Sequence, residues 1–164
     1  MELENVPILF KEHSSFSPLT HIAVQVNFGS GDEGLENLHG AAHLLEHVLV
    51  RAHFSALPEL SASTGRDRTT YSILIHVREM DSILATLMKV FQPLALANEV
   101  LLTEEIAVVE RERIERSSNL LWRAREATLS RLWSGTAYGH DTLGTKATLR
   151  NISCLLYTSP SPRD

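Results

Sequence analysis

The 164-residue sequence predicts a mixed α/β sandwich rather than a helical bundle. Apolar residues recur at period two around residues 20–28 and 69–77, and at three- and four-residue spacing in longer stretches elsewhere, giving the element order β-β-α-β-α-α. Hydrophobic residues make up 43% and charged residues 21% of the chain, the balance of an ordinary globular domain, so one domain is expected.

Residues 6–11 and then Thr20 to Phe28 read as strands, the second placing Ile22, Val24, Val26 and Phe28 on one face. Gly29, Gly31 and Gly34, with Asp32, break that strand. From about Gly40 to His53 the period is helical, with Leu44, Leu45, Val48 and Leu49 on the apolar side. Pro58-Glu59-Leu60-Ser61 reads as a helix start in the following loop. Alternation returns from Thr69 to Val77, where Tyr71, Ile73, Ile75 and Val77 share a face. Asp81 or Ser82 is the expected cap of a helix carrying Leu84, Leu87, Met88 and Phe91 and stopped by Pro93. Thr103 opens a long charged helix to the early 130s, with a candidate break at Ser117-Ser118-Asn119; Leu121, Trp122, Leu129 and Trp133 read as its packing residues. Gly135 and Gly139 end it.

The eleven residues from Cys154 to Asp164, CLLYTSPSPRD, break from this pattern. They are identical to one reading frame of a transposase adapter used in sequencing libraries, so they are expected to be a translated scar, with the native text stopping near Ser153 and the frame cut short. The only cysteine lies in that segment, which leaves residues 1–153 without a disulfide framework or a thiolate.

Twenty acidic against fifteen basic side chains give a formal charge of -5, so neither nucleic acid nor an anionic membrane is an expected partner. No apolar run approaches the roughly 20 residues a membrane span needs, and Met1-Glu2-Leu3-Glu4 lacks the basic start of a signal peptide. A cytoplasmic location is the default expectation. Gly29, Gly31 and Gly34 lack the following context of a G-x-G-x-x-G nucleotide loop.

His43, Glu46 and His47 form H-x-x-E-H in the helical stretch. At 100° per residue the two imidazoles leave the same face one turn apart, close enough to grip one cation, and Glu46 lies beside that face where it could accept a proton from an attacking water. Chance supplies roughly 0.03 such matches in a chain of this composition. A zinc site needs a third ligand, here a carboxylate or another histidine. Glu105 and Glu112 are seven residues apart on one stripe of the acidic helix, so one can bind metal while the other buttresses it; spacing does not say which. Glu104, Glu110 and Glu115 point elsewhere. Mixed with Arg111, Arg113 and Arg116, these glutamates also fit a solvated, ion-paired helix face. His39 reads as a loop histidine, and His13, His21, His76 and His140 as isolated ones.

Gly29-Ser30-Gly31-Asp32-Glu33 followed by Gly40-Ala41-Ala42-His43-Leu44-Leu45-Glu46-His47 resembles the N-terminal domain of the pitrilysin/insulinase family of inverzincin metallopeptidases. Ser61-Ala62-Ser63-Thr64 with Thr69-Thr70-Tyr71 is similar to the family's N-A-x-T and T-x-Y segment, Glu105 to Glu112 to its E-x6-E, and Tyr138-Gly139 with Gly144-Thr145 to its P-Y-G and G-T turn. The resemblance implies a mixed, mostly antiparallel sheet covered by helices, and residues 1–153 as an N-terminal catalytic domain incomplete at its C-terminal end. It implies one zinc ion held by His43, His47 and Glu112, Glu46 as general base, and Glu105 as the carboxylate behind a ligand. It implies a peptide or protein substrate clasped between this domain and a second homologous one that contributes Arg and Tyr, and poor activity without that half. Ser61 stands where the family generally has Asn and His53 where it has Thr, and the segment between His53 and Ser61 is shorter than in the family. Two rival readings are a noncatalytic scaffold subunit paired with an active partner, and a histidine-bearing helix domain that holds no metal.

Overall fold

Among the described residues, three antiparallel strands pair in the order β1-β3-β2. In this computed structural model, which describes residues 18–34, 38–57, 59–91 and 99–152, β1 is Leu19–Val26, β2 Ser61–Thr64 and β3 Thr69–His76. The expected strand at residues 6–11, Pro93 and the segment from Cys154 lie outside the described residues. β1 and β3 pair from Leu19 opposite His76 to Val26 opposite Thr69, and β2 adds to the other edge of β3 with Thr64 opposite Thr69. That register puts Val24 opposite Tyr71, and the period-two alternation buries Thr69, Tyr71, Ile73 and Ile75 on one face while Leu74 is exposed on the other.

Helices cover the buried face, giving the mixed antiparallel α/β architecture expected. The helix α1 spans Ala41–His53, α2 Met80–Leu87, α3 Glu99–Ser118, α4 Leu120–Leu132 and α5 Lys146–Asn151. Leu44 and Val48 of α1, Leu87 of α2, Val109 of α3 and Leu149 of α5 join Tyr71 and Ile73 in one cluster and are fully buried. Each such aliphatic side chain contributes about 1.5–3 kcal/mol by leaving water. Among the described residues no helix is long and apolar enough to cross a membrane.

Several elements depart from the sequence expectation. Pro58 lies outside the described residues, and Glu59-Leu60-Ser61 form no helix: Ser61 already belongs to β2, whose polar Ser-Ala-Ser-Thr pattern carries no hydrophobic signal and is extended because β3 offers it a free edge. Val77 leaves the strand face for a short 3-10 turn, Val77–Glu79, and is exposed. Neither Asp81 nor Ser82 caps α2, which starts at Met80; the Ser82 hydroxyl instead donates to the Glu79 carbonyl. The long helix begins at Glu99, four residues before Thr103. It does break at Asn119, whose side-chain oxygen accepts the Trp122 N–H at 3.1 Å and so starts α4. Leu121 is exposed, Trp133 is partly exposed with its ring against Tyr138 at 5.8 Å between centroids, and no residue of α4 is buried. Thr145, in the turn before α5, caps a helix that periodicity did not reveal, because six residues are too few to show one.

Candidate metal centre

The site starts from the way α1 is held at its N-terminus. Gly40 adopts φ 95° there, and a Cβ at that position would meet the Leu143 carbonyl oxygen at 2.8 Å. The first turn's free amides are satisfied by Glu33, whose two carboxylate oxygens accept the Gly40 N–H at 2.9 Å and the Ala42 N–H at 2.7 Å. Glu33 also meets His140 Nε2 at 3.0 Å, and His140 stacks on His39 with ring centroids 3.8 Å apart. His140 is therefore not isolated. Glu33, His39 and His140 bring one donor atom each within 4.8 Å of the others, yet both Glu33 oxygens are committed to the helix terminus. Their visible work is structural: they fix the turn that carries His43.

One turn further on, His43 and His47 leave the same face of α1, with ring centroids 4.7 Å apart. Glu112 of α3 meets both, its Oε2 lying 3.6 Å from His43 Nε2 and 3.3 Å from His47 Nε2. The three donor atoms lie within 4.8 Å of one another. Glu105 sits behind His47, its Oε2 3.4 Å from Nδ1, and its other oxygen reaches Arg51 at 3.6 Å. Glu112's remaining oxygen is paired with Arg116 at 2.5 Å. Glu104 lies on the exposed side with Arg51. Two imidazole nitrogens and a carboxylate oxygen are a donor set that suits zinc, and ligands about 2.05 Å from a tetrahedral centre stand about 3.3 Å apart, close to the separations found here.

Glu46, on the same helix, is buried and accepts a hydrogen bond from the Thr64 hydroxyl at 2.6 Å. Burial raises its pKa above the usual carboxylate range, with the Thr64 bond pulling the other way. Burial, reinforced by the neighbouring His47, pushes His43 down to about 4, so this imidazole is neutral. Burial pulls His47 down too, but its bond to Glu112, the charges of Glu46 and Glu112 and its bond to Glu105 together outweigh that, and its pKa is raised. The bond to His47 holds Glu112 low. A cavity of about 380 Å³ opens over these groups, lined by His43, Glu46, His47, Thr64, Glu112 and Arg116. Of the residues met here, spacing singled out His43, Glu46, His47, Glu105 and Glu112. It missed Glu33, for which the Glu33-to-Gly40 interval was the only signal, and it gave Thr64 no role.

No family model matches the sequence, and no curated protein does. Solved structures match its fold. The periplasmic protease PqqL from Escherichia coli superposes with a TM-score of 0.72 at 17% identity, over 85% of this chain and 17% of that one. A protease from Helicobacter pylori gives 0.71 at 21% identity over 84% and 36%, and an M16-like peptidase structure from Alicyclobacillus acidocaldarius gives 0.71 at 22% over 85% and 37%. The fold is shared with peptidases. This chain spans between 17% and 37% of the length of those three chains.

Proposed function

We propose that this chain is the metal-binding part of a zinc metalloendopeptidase, with His43, His47 and Glu112 as ligands and Glu46 as general base. The observation that carries the reading is the meeting of three donors from two helices, Glu112 lying 65 residues after His47 and 69 after His43, with His47 reaching both Glu105 and Glu112 and Glu46 beside them. When bound there, zinc would supply Lewis-acid polarisation of water and of a peptide carbonyl. Glu46 takes the proton of the attacking water and returns it to the departing amine; a pKa raised by burial suits a carboxylate that must hold the proton between these steps. Glu105 accepts the Nδ1 proton of His47, which leaves the Nε2 lone pair for the metal. β2 is an edge strand among the described residues and lines the cavity through Ala62, Ser63 and Thr64, so an extended peptide can add to it by backbone hydrogen bonds across the site.

In this reading residues 1–153 are an incomplete N-terminal catalytic domain, and a second homologous domain, on the same chain or a partner subunit, closes over the substrate. The fold neighbours, all longer than the matched region, support that arrangement. The test uses the complete protein. Glu46→Gln should keep one zinc per chain and lose about a hundredfold or more of peptide turnover, whereas His43→Ala should lose both. Near-normal turnover by Glu46→Gln rejects the base, zinc without any turnover in the wild type favours a scaffold subunit, and no zinc by elemental analysis rejects the metal centre.

A further inference from the structure

We propose that Thr64 is a positioning residue that sets the orientation of the Glu46 carboxylate, an inference that rests on Glu46 acting as the base. The hydroxyl of Thr64 donates to Glu46 Oε2 at 2.6 Å, a short contact of the kind made to a charged acceptor. Among the described residues its other neighbour of this type is Thr69 Oγ1 at 3.4 Å, and the Thr69 hydroxyl donates its own proton to the Phe28 carbonyl at 2.9 Å. Thr69 is thus committed elsewhere, and the single proton of Thr64 goes to the carboxylate.

The backbone holds Thr64 for this task. It ends β2 directly opposite Thr69, and the connection between them is closed by the Gly65 N–H donating to the Arg68 carbonyl at 2.8 Å. That connection is clamped from outside, where the Ser30 and Gly31 amides donate to the Gly65 and Arg66 carbonyls at 3.1 and 2.8 Å. A Cβ on Gly29 would meet the Arg66 carbonyl oxygen at 2.6 Å, so the two loops touch backbone to backbone. Glutamate's terminal torsion is broad, and a carboxylate on a helix does not by itself settle into one rotation. Tying one oxygen to a hydroxyl on a clamped hairpin removes that freedom before substrate arrives, which is where orientation lowers a barrier. Thr64 contacts none of the three proposed ligands among its hydrogen bonds, so its role separates from metal binding.

The experiment compares Thr64→Val, which keeps the shape and removes the donor, with Thr64→Ser, which keeps the donor, both in the complete protein. Thr64→Val should lower kcat about tenfold or more, with KM and zinc content unchanged, and Thr64→Ser should restore most of it. In the zinc-free protein the carboxylate carbon resonance of Glu46 should move in Thr64→Val and return in Thr64→Ser, a readout that does not depend on turnover. The proposal is overturned if Thr64→Val keeps kcat within about twofold while Glu46→Gln is inactive, or if the Glu46 resonance is the same in all three proteins. Loss of zinc in Thr64→Val also overturns it, since the residue would then be supporting the centre itself. A Glu46→Gln protein that still turns over rejects the underlying assignment of the base instead.

Discussion

Replacing Glu33 by Ala should unfold this domain at a clearly lower temperature, although Glu33 contributes no atom to the proposed zinc shell. Its side chain is fully shielded from solvent and makes three contacts, to the Gly40 N–H at 2.9 Å, the Ala42 N–H at 2.7 Å and His140 Nε2 at 3.0 Å. A hydrogen bond to a charged group contributes about 1.5–3 kcal/mol, and losing the carboxylate leaves two amides at the start of α1 without their acceptor. The contacts share one group and do not add, so the expected cost is about 3–5 kcal/mol. At about 2–4 °C per kcal/mol for a domain of this size, Tm should fall by roughly 6–20 °C, measured by circular dichroism at 222 nm or by calorimetry. His140→Ala is the internal control. It removes one contact and leaves both backbone amides paired, so its cost should be well under half that of Glu33→Ala. A Glu33→Ala protein melting within about 2 °C of the wild type would refute the view that this carboxylate holds the helix terminus.

Zinc affinity should fall by about one logarithmic unit per pH unit as pH drops below the ordinary histidine value of about 6.5. The sign follows from the two histidines: the metal-free His47, raised above its ordinary value, carries a proton that zinc must displace, and that proton competes harder as pH falls. His43, held at about 4, is already neutral in this window and adds nothing. Chelator competition across pH measures the slope, and a value near two would show that both imidazoles are protonated in the free site. Gly144→Ala should cost about 2–4 kcal/mol in a denaturant titration, because Gly144 has φ 66° and its Cβ would clash with the His39 carbonyl oxygen. An unchanged midpoint would mean that the loop before α1 yields freely.

The parts of the fold that were legible in the sequence are those whose burial follows a period. β1 and β3 alternate because one face of each is covered, and Leu44, Val48 and Leu49 recur along α1 because that side meets the sheet. β2 was hidden because its four residues are polar or small and its extended form comes from pairing rather than from its own preference. The loops were hidden for a related reason. Gly29, Gly31 and Gly144 announced turns, but nothing local says that Gly29 must approach Arg66, or that Gly144 must approach His39, a contact between residues 105 apart in number only by virtue of the fold. The four-residue histidine spacing was visible, and so were two equivalent carboxylates on α3, but the stripe alone could not rank them.

The ranking comes from the direction in which the two helices cross. Arg51, near the end of α1, meets Glu104 and Glu105, near the start of α3; His43, near the start of α1, meets Glu112, further along α3. The helices therefore run antiparallel. Moving from His43 to Arg51 along α1 corresponds to moving from Glu112 to Glu104 along α3, about 12 Å in each at 1.5 Å per residue. His47 stands midway and is met from both sides, by Glu112 at Nε2 and by Glu105 at Nδ1. Glu112 reaches both histidines with one oxygen because it lies across from His43 and about one turn from the level of His47, whereas Glu105, on the far side of that level and about two turns from His43, reaches only the rear nitrogen of His47. The distinct duties proposed for two chemically identical residues thus follow from helix direction, a property of the packed pair that neither segment contains by itself.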